Sequence, residues 1–278
     1  MKHYSRAHVP FKQIDIWNNF SKQLLSASKV ELFLDYDGTI TPIHKTPSEA
    51  ILTPDTIHIL QQLIQLPNVR VTIVTGRSMK DIQRFIPFED IRLIANHGFH
   101  IYQDKTEWIH PDAESSQLKM HQLQGILNNS LESYPKAYVE DKQFTLSIHY
   151  RNAAAQNVPY IKELTVKTIS SFDPKLVITE GKEVIEVRPP VKWGKGHAIK
   201  KIINANSYPP NSLKIYIGDD MTDEDAFQVL KTSGITIRVG ETPKTKAQYY
   251  VDNVKEVLQI LRMIIKLRTH HSNEFLAS

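Results

Sequence analysis

The sequence predicts an α/β fold in which a doubly wound parallel sheet is split by an inserted α+β unit. Within the first hundred residues, apolar runs of strand length alternate with helical patterns, as expected of such a sheet. From about residue 117 the pattern changes to helix, strand, strand, which then repeats; after Trp193 the alternation of helix and strand resumes. We therefore place the core in residues 1–108 and 191–278, and an αββαββ cap in residues 109–190.

The first part of the core is predicted from three runs that are nearly continuous in hydrophobicity, as in strands covered on both faces. They span residues 30–35, 69–74 and 91–95. A helix over residues 52–66 is indicated by Thr53 as N-cap and Pro54 at the first helical position. Ser78, with Asp81 three positions later, predicts a second helix over residues 78–86. An amphipathic stretch at residues 14–25 is expected to pack on the core.

The inserted unit is predicted to contain two helices and two pairs of strands. The helices span residues 117–131 and 160–171, and the strand pairs span 137–141 with 144–148 and 176–179 with 184–187. In the second of these strands, Leu146 and Ile148 alternate with Ser147 and His149. Such alternation is typical of a strand with one packed face and one open face. The unit is therefore predicted to be a lid whose sheet has one wet face.

The second part of the core follows Trp193. We predict helices over residues 195–204 and 254–267, strands over 213–217 and 235–239, and between these strands a helix capped by Thr222. The tail, residues 269–278, is polar, and we expect it to fray.

The composition excludes several classes of protein. With 278 residues, 41% of them hydrophobic and 23% charged, the chain is expected to be globular. The absence of cysteine excludes disulfides, thiolate metal sites and a cysteine nucleophile. We find no secretory signal and no run near the roughly 20 apolar residues of a membrane span, so we expect a cytosolic protein without membrane contact. The net charge of +4 is spread among acids, which favours a small phosphorylated ligand over nucleic acid.

Two carboxylates follow the first predicted strand directly. Asp35 and Asp37 lie two residues apart, and Gly38 and Thr39 then turn the chain away. Side chains at the carboxyl end of a parallel strand project into the crevice where such sheets bind ligands. Carboxylates this close repel each other unless a cation is near, and Mg²⁺ prefers oxygen ligands of this kind. One carboxylate can attack phosphorus while the other donates a proton to the leaving oxygen. By itself the string fits a turn with two solvated aspartates equally well.

A second string, Thr75-Gly76-Arg77, ends the next predicted strand. It offers a hydroxyl, a tight turn and a guanidinium beside a helix N-terminus, a combination that fits a phosphate group. Strand-to-helix turns also use such residues for structural reasons alone.

Acidic residues and one lysine complete the pattern. Five acids fall within residues 219–225. Asp223 and Glu224 are partly explained by the N-terminus of their own helix, whereas Asp219 and Asp220 precede that helix and indicate a cation. Lys195 stands at the start of a predicted helix, where it could neutralise a nucleophilic aspartate and the phosphate that it attacks. A lone lysine is more commonly a surface residue.

The order and spacing of these four elements resemble the haloacid dehalogenase superfamily, which implies a Rossmann-like core with a cap. Three strings narrow the resemblance to trehalose-6-phosphate phosphatases: Leu-Asp-Tyr-Asp-Gly-Thr at 34–39, Asn-His-Gly at 96–98 and Gly-Asp-Asp-Met-Thr-Asp-Glu-Asp-Ala-Phe at 218–227. Related sugar phosphatases and phosphomannomutases tend to have Gly-Asp-x-x-Asn-Asp at the last position. The resemblance covers residues 29–265. Residues 193–196 depart from it, because Trp-Gly-Lys-Gly stands where Trp-Asn-Lys-Gly is more usual.

The resemblance implies roles for the residues at the sheet edge. The implied catalytic residues are Asp35 as nucleophile, Asp37 as general acid and later base, Thr75 as a holder of a phosphate oxygen and Lys195 as a charge balance. The implied magnesium ligands are Asp35, the backbone carbonyl of Asp37 and Asp219, supported by Asp220 or Asp223. Manganese and cobalt are possible substitutes for this ion.

The same resemblance implies that the cap selects the sugar. The residues expected to contact it are Glu140, Lys142, Arg151, Lys182, Glu186 and Arg188, with Arg77 and His97 in the crevice beneath. A polyol needs several charged or bidentate partners, because an unpaired buried polar group is costly. Cross-strand salt bridges are the alternative for the cap residues, and a capping or core role is the alternative for His97.

The expected reaction is hydrolysis of trehalose 6-phosphate to trehalose and phosphate through an aspartyl phosphate, the last step of trehalose biosynthesis. Three alternatives are open: the same chemistry on another sugar phosphate, a phosphotransferase or mutase, and a non-catalytic sensor or regulatory partner of a synthase. We expect a monomer, with a small sugar phosphate as ligand and a trehalose-phosphate synthase as a candidate partner.

Overall fold

The computed structural model describes residues 13–44, 46–181, 183–206 and 208–276 of the chain. Its helices are α1 (Gln13–Ser26), α2 (Pro54–Gln65), α3 (Met79–Phe85), α4 (Pro111–Ser130), α5 (Val158–Phe172), α6 (Lys195–Ala205), α7 (Glu224–Leu230) and α8 (Val254–Leu276). Its strands are β1 (Val30–Asp35), β2 (Val69–Val74), β3 (Arg92–Ala95), β4 (His100–Gln103), β5 (Thr106–Ile109), β6 (Tyr138–Asp141), β7 (Leu146–His149), β8 (Val177–Gly181), β9 (Val184–Arg188), β10 (Leu213–Gly218), β11 (Gly234–Val239) and β12 (Tyr249–Val251).

The larger sheet is the doubly wound core that the sequence predicts. Its eight strands lie in the order β12-β11-β10-β1-β2-β3-β4-β5. β1 pairs in parallel with β2 on one side and with β10 on the other, and these strands are buried along nearly their whole length. The order of the strands reverses between β1 and β10. The crevice at the carboxyl ends of β1 and β10 is therefore the ligand site that such a sheet provides.

Local signals set the bounds of the first elements. β1 and β2 coincide with the predicted residues 30–35 and 69–74. Both predicted helix caps are present: Thr53 Oγ1 accepts from the Thr56 amide at 3.1 Å, and Ser78 Oγ accepts from the Asp81 amide at 3.1 Å. Such side chains satisfy first-turn amides that have no partner inside the helix, and they fix where α2 and α3 begin.

The edge of the core sheet carries strands that were not predicted. β4 and β5 form an antiparallel hairpin beside β3, and Asp104 and Lys105 turn it with φ angles of 49° and 62°. β12 adds a short parallel strand at the other edge. Each strand of the hairpin has only four residues, and its pairing with β3 supplies the stability that so short a pattern does not indicate.

The prediction that Thr222 caps the helix after β10 is wrong. A 3₁₀ turn (Met221–Asp223) precedes α7, and Asp220 is its cap. The Asp220 side chain accepts from the Asp223 amide, and Asp223 Oδ2 accepts from the Asp220 amide at 2.8 Å. A carboxylate accepts such bonds more strongly than a hydroxyl, which favours Asp220 over Thr222 at this position.

The last helix is longer than predicted. α8 continues to Leu276, beyond the predicted end at residue 267, so residues 269–276 do not leave the helix. Arg268 explains part of this extension, because its Nη1 donates to the carbonyls of Leu24 and Ala27 at 2.9 and 2.7 Å and ties α8 to the end of α1. Nowhere in the described ranges is a helix both long and apolar enough to cross a membrane.

The smaller sheet belongs to the inserted unit and has the antiparallel order β6-β7-β9-β8. α4 and α5 pack on one face, where Leu146, Ile148 and Ile185 are fully buried. The αββαββ order agrees with the prediction. The other face differs from it, because Ser147 and Glu186 are only 0% and 8% exposed. The part of this polar face that carries Ser147 and Glu186 lies against the core, whereas Tyr138 on the same face is 42% exposed.

Candidate active site

The predicted chemical residues come from separate elements that end at one edge of the core sheet. Asp35 is the last residue of β1, Thr75 follows β2, Asp219 follows β10, and Lys195 begins α6. Parallel strands direct their carboxyl ends to the same edge, which brings these distant segments together. All four side chains line one cavity.

Asp35 lies at the centre of the site and is 4% exposed. Lys195 Nζ donates to its Oδ1 at 2.6 Å, and Thr39 Oγ1 donates to its Oδ2 at 3.3 Å. Burial raises the pKa of Asp35 well above its usual range; the charges of Asp223 and Asp219 add to this effect, and Lys195 opposes it. An additional cation near these carboxylates would favour the ionised, nucleophilic form of Asp35.

Lys195 is held by two carboxylates. Besides Asp35, its Nζ donates to Asp223 Oδ1 at 2.7 Å, and Tyr216 OH donates to the same oxygen at 2.5 Å. Although burial opposes it, the pKa of Lys195 is raised by Asp223 and Asp35, so the ammonium stays charged. Tyr216 lies inside β10 and was not among the predicted site residues, because an aromatic residue within a buried strand is typical of a core.

Three buried carboxylates form a cluster that suits a hard cation. Oxygens of Asp35, Asp219 and Asp223 all lie within 4.8 Å of one another. These three negative charges face one nearby ammonium, Lys195, so a divalent cation would fit both the charge and the oxygen donors. Asp220 is not part of the cluster, since its side chain caps the following 3₁₀ turn.

The turn after β1 is shaped around this cluster. Gly38 has a φ of 83°, in the left-handed region that favours glycine. A Cβ at that position would also overlap the carboxylate of Asp219. The glycine therefore allows the loop after β1 to approach the loop after β10 closely enough to share a cation.

An arginine that the sequence argument missed supports the acidic loop. Arg238 on β11 is 8% exposed, and its guanidinium donates to the carbonyls of Asp219 and Asp220 at 2.7 and 3.2 Å. It also donates to Glu224 Oε1 at 2.9 Å. One planar cation thus ties the acidic loop to the first turn of α7.

Asp37 and Arg77 form a bidentate ion pair. Arg77 Nε donates to Asp37 Oδ2 and Arg77 Nη2 donates to Asp37 Oδ1, both at 2.8 Å. Arg77 Nη1 also donates to Asp81 Oδ2 at 2.7 Å. The residue predicted to contact substrate is therefore paired here with the predicted general acid, and both oxygens of Asp37 are engaged.

Thr75 lies beside this pair, 1% exposed. Its Oγ1 accepts from the Arg77 amide at 3.1 Å, which leaves the hydroxyl hydrogen available to a ligand oxygen in the cavity. The helix that follows begins directly after this loop, so the phosphate cradle predicted from Thr75-Gly76-Arg77 is sterically possible.

The polar face of the inserted sheet forms the opposite wall of the cavity. Lys142 Nζ and Ser147 Oγ both donate to Glu186 Oε1, at 3.2 and 2.7 Å. His97 Nε2, from the core, lies 3.4 Å from Glu186 Oε2. Burial opposes ionisation of Glu186, but the charge of Lys142 and the nearby His97 lower its pKa below the usual range. Burial lowers the pKa of His97, which favours the neutral form of its ring.

The other predicted cap residues have different surroundings. Glu140 Oε2 is paired with His149 Nε2 at 2.7 Å. Arg151 donates to Glu183 Oε2 at 2.9 Å and to the carbonyl of His44, in the core, at 2.5 Å. Both residues line the cavity.

Two predicted contacts do not join this set. Arg188 does not line the cavity; its Nη2 donates to Thr179 Oγ1 on the adjacent strand β8 at 2.7 Å. This cross-strand contact is to a neutral hydroxyl and is not the salt bridge considered as the alternative, and the substrate contact of Arg188 stays a prediction. Lys182 lies outside the residues that the structure describes.

Asn96 joins the core to the inserted unit. Its Nδ2 donates to the carbonyl of Lys142 at 2.8 Å, and its Oδ1 accepts from Thr145 Oγ1 at 2.9 Å. Asn96, His97 and Gly98 all have positive φ angles, of 50°, 55° and 103°. Asparagine and glycine tolerate this conformation, which accounts for two positions of the Asn-His-Gly string. Asn96 belongs to a string that indicated the family, but it was not among the predicted contact residues.

The departure at position 194 also has a structural counterpart. A Cβ at Gly194 would overlap the Asp225 carboxylate, which occupies the space beside it. The asparagine that is more usual here would need Asp225 to move. Lys195, the next residue, keeps its place at the start of α6.

The fold and the site together define the class of the protein. A haloacid dehalogenase-like hydrolase from B. subtilis shares the fold, with a TM-score of 0.52 and 14% identity over 84% of this chain and 98% of that chain. The doubly wound sheet with its inserted unit is the fold of that haloacid dehalogenase-like hydrolase.

The family follows from closer relatives. The family model described as trehalose-phosphatase matches residues 33–255. Trehalose-phosphate phosphatase B of Arabidopsis thaliana is 31% identical over 267 residues, which cover 89% of this chain and 70% of that protein. The structure of the C. albicans trehalose-6-phosphate phosphatase C-terminal domain superposes with a TM-score of 0.80 at 24% identity and covers 94% of this chain and 99% of that one. The chain belongs to the trehalose-phosphatase family, a family of phosphoric monoester hydrolases.

Proposed function

We propose that this protein hydrolyses trehalose 6-phosphate to trehalose and inorganic phosphate, with Asp35 as the nucleophile. One observation carries the proposal: Lys195 holds Asp35 at 2.6 Å inside a cavity whose opposite wall is the polar face of the inserted sheet. The wall formed by the core supplies the residues for phosphoryl transfer. The wall formed by the inserted sheet supplies hydrogen-bond partners for a polyol. We further propose that residues 109–190 act as a cap over a core formed by residues 1–108 and 191–278.

In the first step an Asp35 oxygen bonds to phosphorus while the bond between phosphorus and the sugar oxygen breaks. Asp37 gives a proton to that sugar oxygen, and trehalose leaves. Thr75 donates its hydroxyl hydrogen to a phosphoryl oxygen, and Lys195 neutralises charge on Asp35 and on the transferred group. Fixed donors of this kind stabilise charge as it develops in the transition state.

Asp37 must leave Arg77 to serve as the acid. A carboxyl group that donates a proton needs one oxygen free to carry it, and both Asp37 oxygens accept from Arg77 in this structure. We infer that substrate entry separates the pair and that Asp37 then takes up the proton. Arg77 keeps its contact with Asp81, so it remains at the wall of the cavity.

In the second step water attacks the phosphorus of the aspartyl phosphate. Asp37 accepts a proton from that water as the bond between phosphorus and Asp35 breaks. Phosphate is released, Asp35 is restored as a carboxylate, and Asp37 again holds the proton with which it began. Atoms and charges therefore balance over the two steps.

The cluster of Asp35, Asp219 and Asp223 would hold Mg²⁺ together with the backbone carbonyl of Asp37. When bound, the ion supplies positive charge to the carboxylates and to the phosphoryl oxygens. This assignment replaces Asp220 by Asp223 among the predicted ligands, because Asp223 lies in the cluster and Asp220 caps a turn. Manganese and cobalt are substitutes to test beside it.

The sugar would be recognised by Lys142, Glu186 and Glu140, with His97 beneath them. The neutral ring of His97 and the charged groups of Lys142 and Glu186 present both donors and acceptors to hydroxyl groups. A site built this way discriminates against ligands that leave its buried polar groups unpaired. A cytosolic location, a monomeric state and an association with a trehalose-phosphate synthase stay predictions from the sequence.

The deciding experiment is a substrate panel with released phosphate as the readout, run with Mg²⁺ and with a chelator. We expect trehalose 6-phosphate to be turned over far better than glucose 6-phosphate, and chelator to abolish turnover. Equal activity on the two substrates would favour another sugar phosphate. Recovery of the phosphoryl group on an acceptor sugar, instead of as free phosphate, would indicate a mutase or phosphotransferase.

The nucleophile is tested by Asp35→Asn. We expect this variant to lose turnover while it keeps its fold by circular dichroism, because an amide cannot form the aspartyl phosphate. Asp90→Asn is the matched control, since Asp90 is exposed and precedes β3 at the opposite edge of the sheet. Substantial activity in Asp35→Asn would rule out the proposed intermediate, and a wild type inactive on every sugar phosphate would favour a non-catalytic sensor.

A further inference from the structure

A stacked pair of rings lines the cavity on the cap side. Tyr138 on β6 and His149 on β7 are directly opposite each other in the strand register. Their ring centroids are 4.6 Å apart and their planes differ by 18°. Both residues line the cavity that holds Asp35, yet the mechanism above uses neither of them.

The pair is rigid and half open. His149 Nε2 is anchored to Glu140 Oε2 at 2.7 Å, which fixes the plane of the imidazole. Tyr138 is 42% exposed although its ring is stacked on that imidazole. Because His149 covers one face of the ring, the exposed area belongs to the other face and the ring edge. A fixed aromatic surface with that much exposure at a cavity is the kind of surface that a ligand covers.

The position of Tyr138 along β6 fits a second sugar ring. Side chains alternate along a strand, so Tyr138 and Glu140 project toward the same side of β6, about 6.6 Å apart, and Lys142 follows directly after the strand ends. Lys142 is the member next to the core, since its carbonyl accepts from Asn96. Tyr138 lies four residues before Lys142, which is roughly 13 Å farther from Asn96 along the chain. Half of that distance is comparable to the width of a hexose, so a substrate that reaches Tyr138 has two rings.

The chemistry of an aromatic pair suits the ring that carries no phosphate. The C–H groups on one face of a glucosyl ring are weakly positive and apolar, and they pack on the negative face of an aromatic ring. The hydroxyls at the rim of that sugar would lie near Arg151 and Glu183, which line the same part of the cavity. Stacking of this kind depends on the presence of a second ring more than on the position of any single hydroxyl.

We propose that Tyr138, backed by His149, is the stacking platform for the unphosphorylated hexose of a disaccharide phosphate. This subsite deepens the proposed function and rests on it. It makes Tyr138 a specificity-determining residue, one that separates disaccharide from monosaccharide phosphates without touching the reacting atoms. Phosphoryl transfer itself depends on groups at the other end of the cavity.

The test compares Tyr138→Ala and Tyr138→Phe with the wild-type protein on trehalose 6-phosphate and glucose 6-phosphate. We expect Tyr138→Ala to lower kcat/KM for trehalose 6-phosphate about three- to tenfold and to leave kcat/KM for glucose 6-phosphate within about twofold. Tyr138→Phe should keep both values, because the ring is retained. Tyr160→Ala is the matched control, since Tyr160 is 63% exposed on α5 and does not line the cavity.

The outcomes separate the two levels of the proposal. If the wild type prefers trehalose 6-phosphate and Tyr138→Ala keeps that preference undiminished, the platform is wrong and the proposed function stands. Equal losses on both substrates would also overturn it, because they would indicate a general structural effect. A wild type without preference for the disaccharide phosphate would overturn the proposed function and the platform together.

Discussion

Replacement of Lys195 by methionine tests the electrostatics of the site through stability, independently of activity. Lys195 is 3% exposed, and its Nζ contacts Asp35 Oδ1 at 2.6 Å and Asp223 Oδ1 at 2.7 Å. Lys195→Met keeps most of the apolar side chain but leaves two buried carboxylates without their cation. Breaking a buried ion pair in this way costs about 3–5 kcal/mol. In a chain of 278 residues, whose entropy of unfolding is about 0.6 kcal/mol/K, that loss lowers Tm by roughly 5–9 °C.

Asp35→Asn is the complementary variant. In combination with Lys195→Met, we expect it to offset part of the loss of stability that Lys195→Met causes by itself. Asp35→Asn leaves Lys195 and Asp223 as a pair of one cation and one anion, so we expect it to change stability by less than about 1 kcal/mol. The double variant Lys195→Met/Asp35→Asn has one buried carboxylate fewer than Lys195→Met. We therefore expect the double variant to be more stable than Lys195→Met alone by roughly 1–3 kcal/mol.

The assay is urea unfolding at pH 7 in the presence of chelator, so that no divalent cation compensates the carboxylates. Lys200→Met is the matched control, because Lys200 is exposed on the same helix, and it should stay within about 0.5 kcal/mol of the wild type. A Lys195→Met variant as stable as the wild type would refute the charge argument. So would a double variant in which the two single effects simply add.

Two further predictions concern the contact between core and insert. Asn96→Ala removes the hydrogen bonds to the Lys142 carbonyl and from Thr145 Oγ1, so we expect kcat/KM for trehalose 6-phosphate to fall at least about tenfold; Thr145→Val, which loses one bond, should lose less. Unchanged values in both variants would argue against Asn96 as the joint. Glu186→Gln should be less stable than the wild type at pH 7 by about 1–3 kcal/mol. Because the folded protein lowers the pKa of Glu186, the difference in stability between the two proteins should persist above pH 4.5, the ordinary pKa of a glutamate, and shrink as the pH falls below it. Urea unfolding at pH 7 and at pH 4 measures this difference. A difference that grows on acidification would contradict the pairing of Glu186 with Lys142.

The elements that the sequence predicted best are those whose signals are local. β1 and β2 match their apolar runs residue for residue, and Thr53 and Ser78 cap the helices that they were expected to cap. A buried parallel strand and a first-turn amide each leave a mark in a few adjacent residues. The β4–β5 hairpin left no such mark, because its stability comes from pairing with β3.

In the candidate site, too, the local signals were predictable and the long-range contacts were not. The sequence predicted the types of residues that the site needs and their places at strand ends or at a helix start. These residues are Asp35, Asp37, Thr75, Lys195 and Asp219. The hydrogen-bond partners of these residues could not be predicted from the sequence. Which oxygens engage which donors depends on contacts between residues as far apart as 160 positions, the separation of Asp35 and Lys195.

The sequence could not decide which of two neighbouring aspartates belongs to the acidic cluster. The sequence favoured Asp220 over Asp223 as a cation ligand, but the 3₁₀ turn after β10 directs Asp223 to Lys195 and Tyr216 and leaves Asp220 to cap the turn. In the same way, the pairing of β9 with β8 brings Arg188 within hydrogen-bond distance of Thr179, a contact between neighbouring strands.

The sequence alone determined the class of fold, the chemistry of the sheet edge and the family resemblance, because periodicity, caps and short motifs are properties of adjacent residues. Only the tertiary structure decided that Asp37 rests on Arg77, that Asp223 belongs to the acidic cluster, and that part of the polar face of the inserted sheet is buried over the core. Each of these depends on charges and surfaces that meet only after the chain has closed on itself.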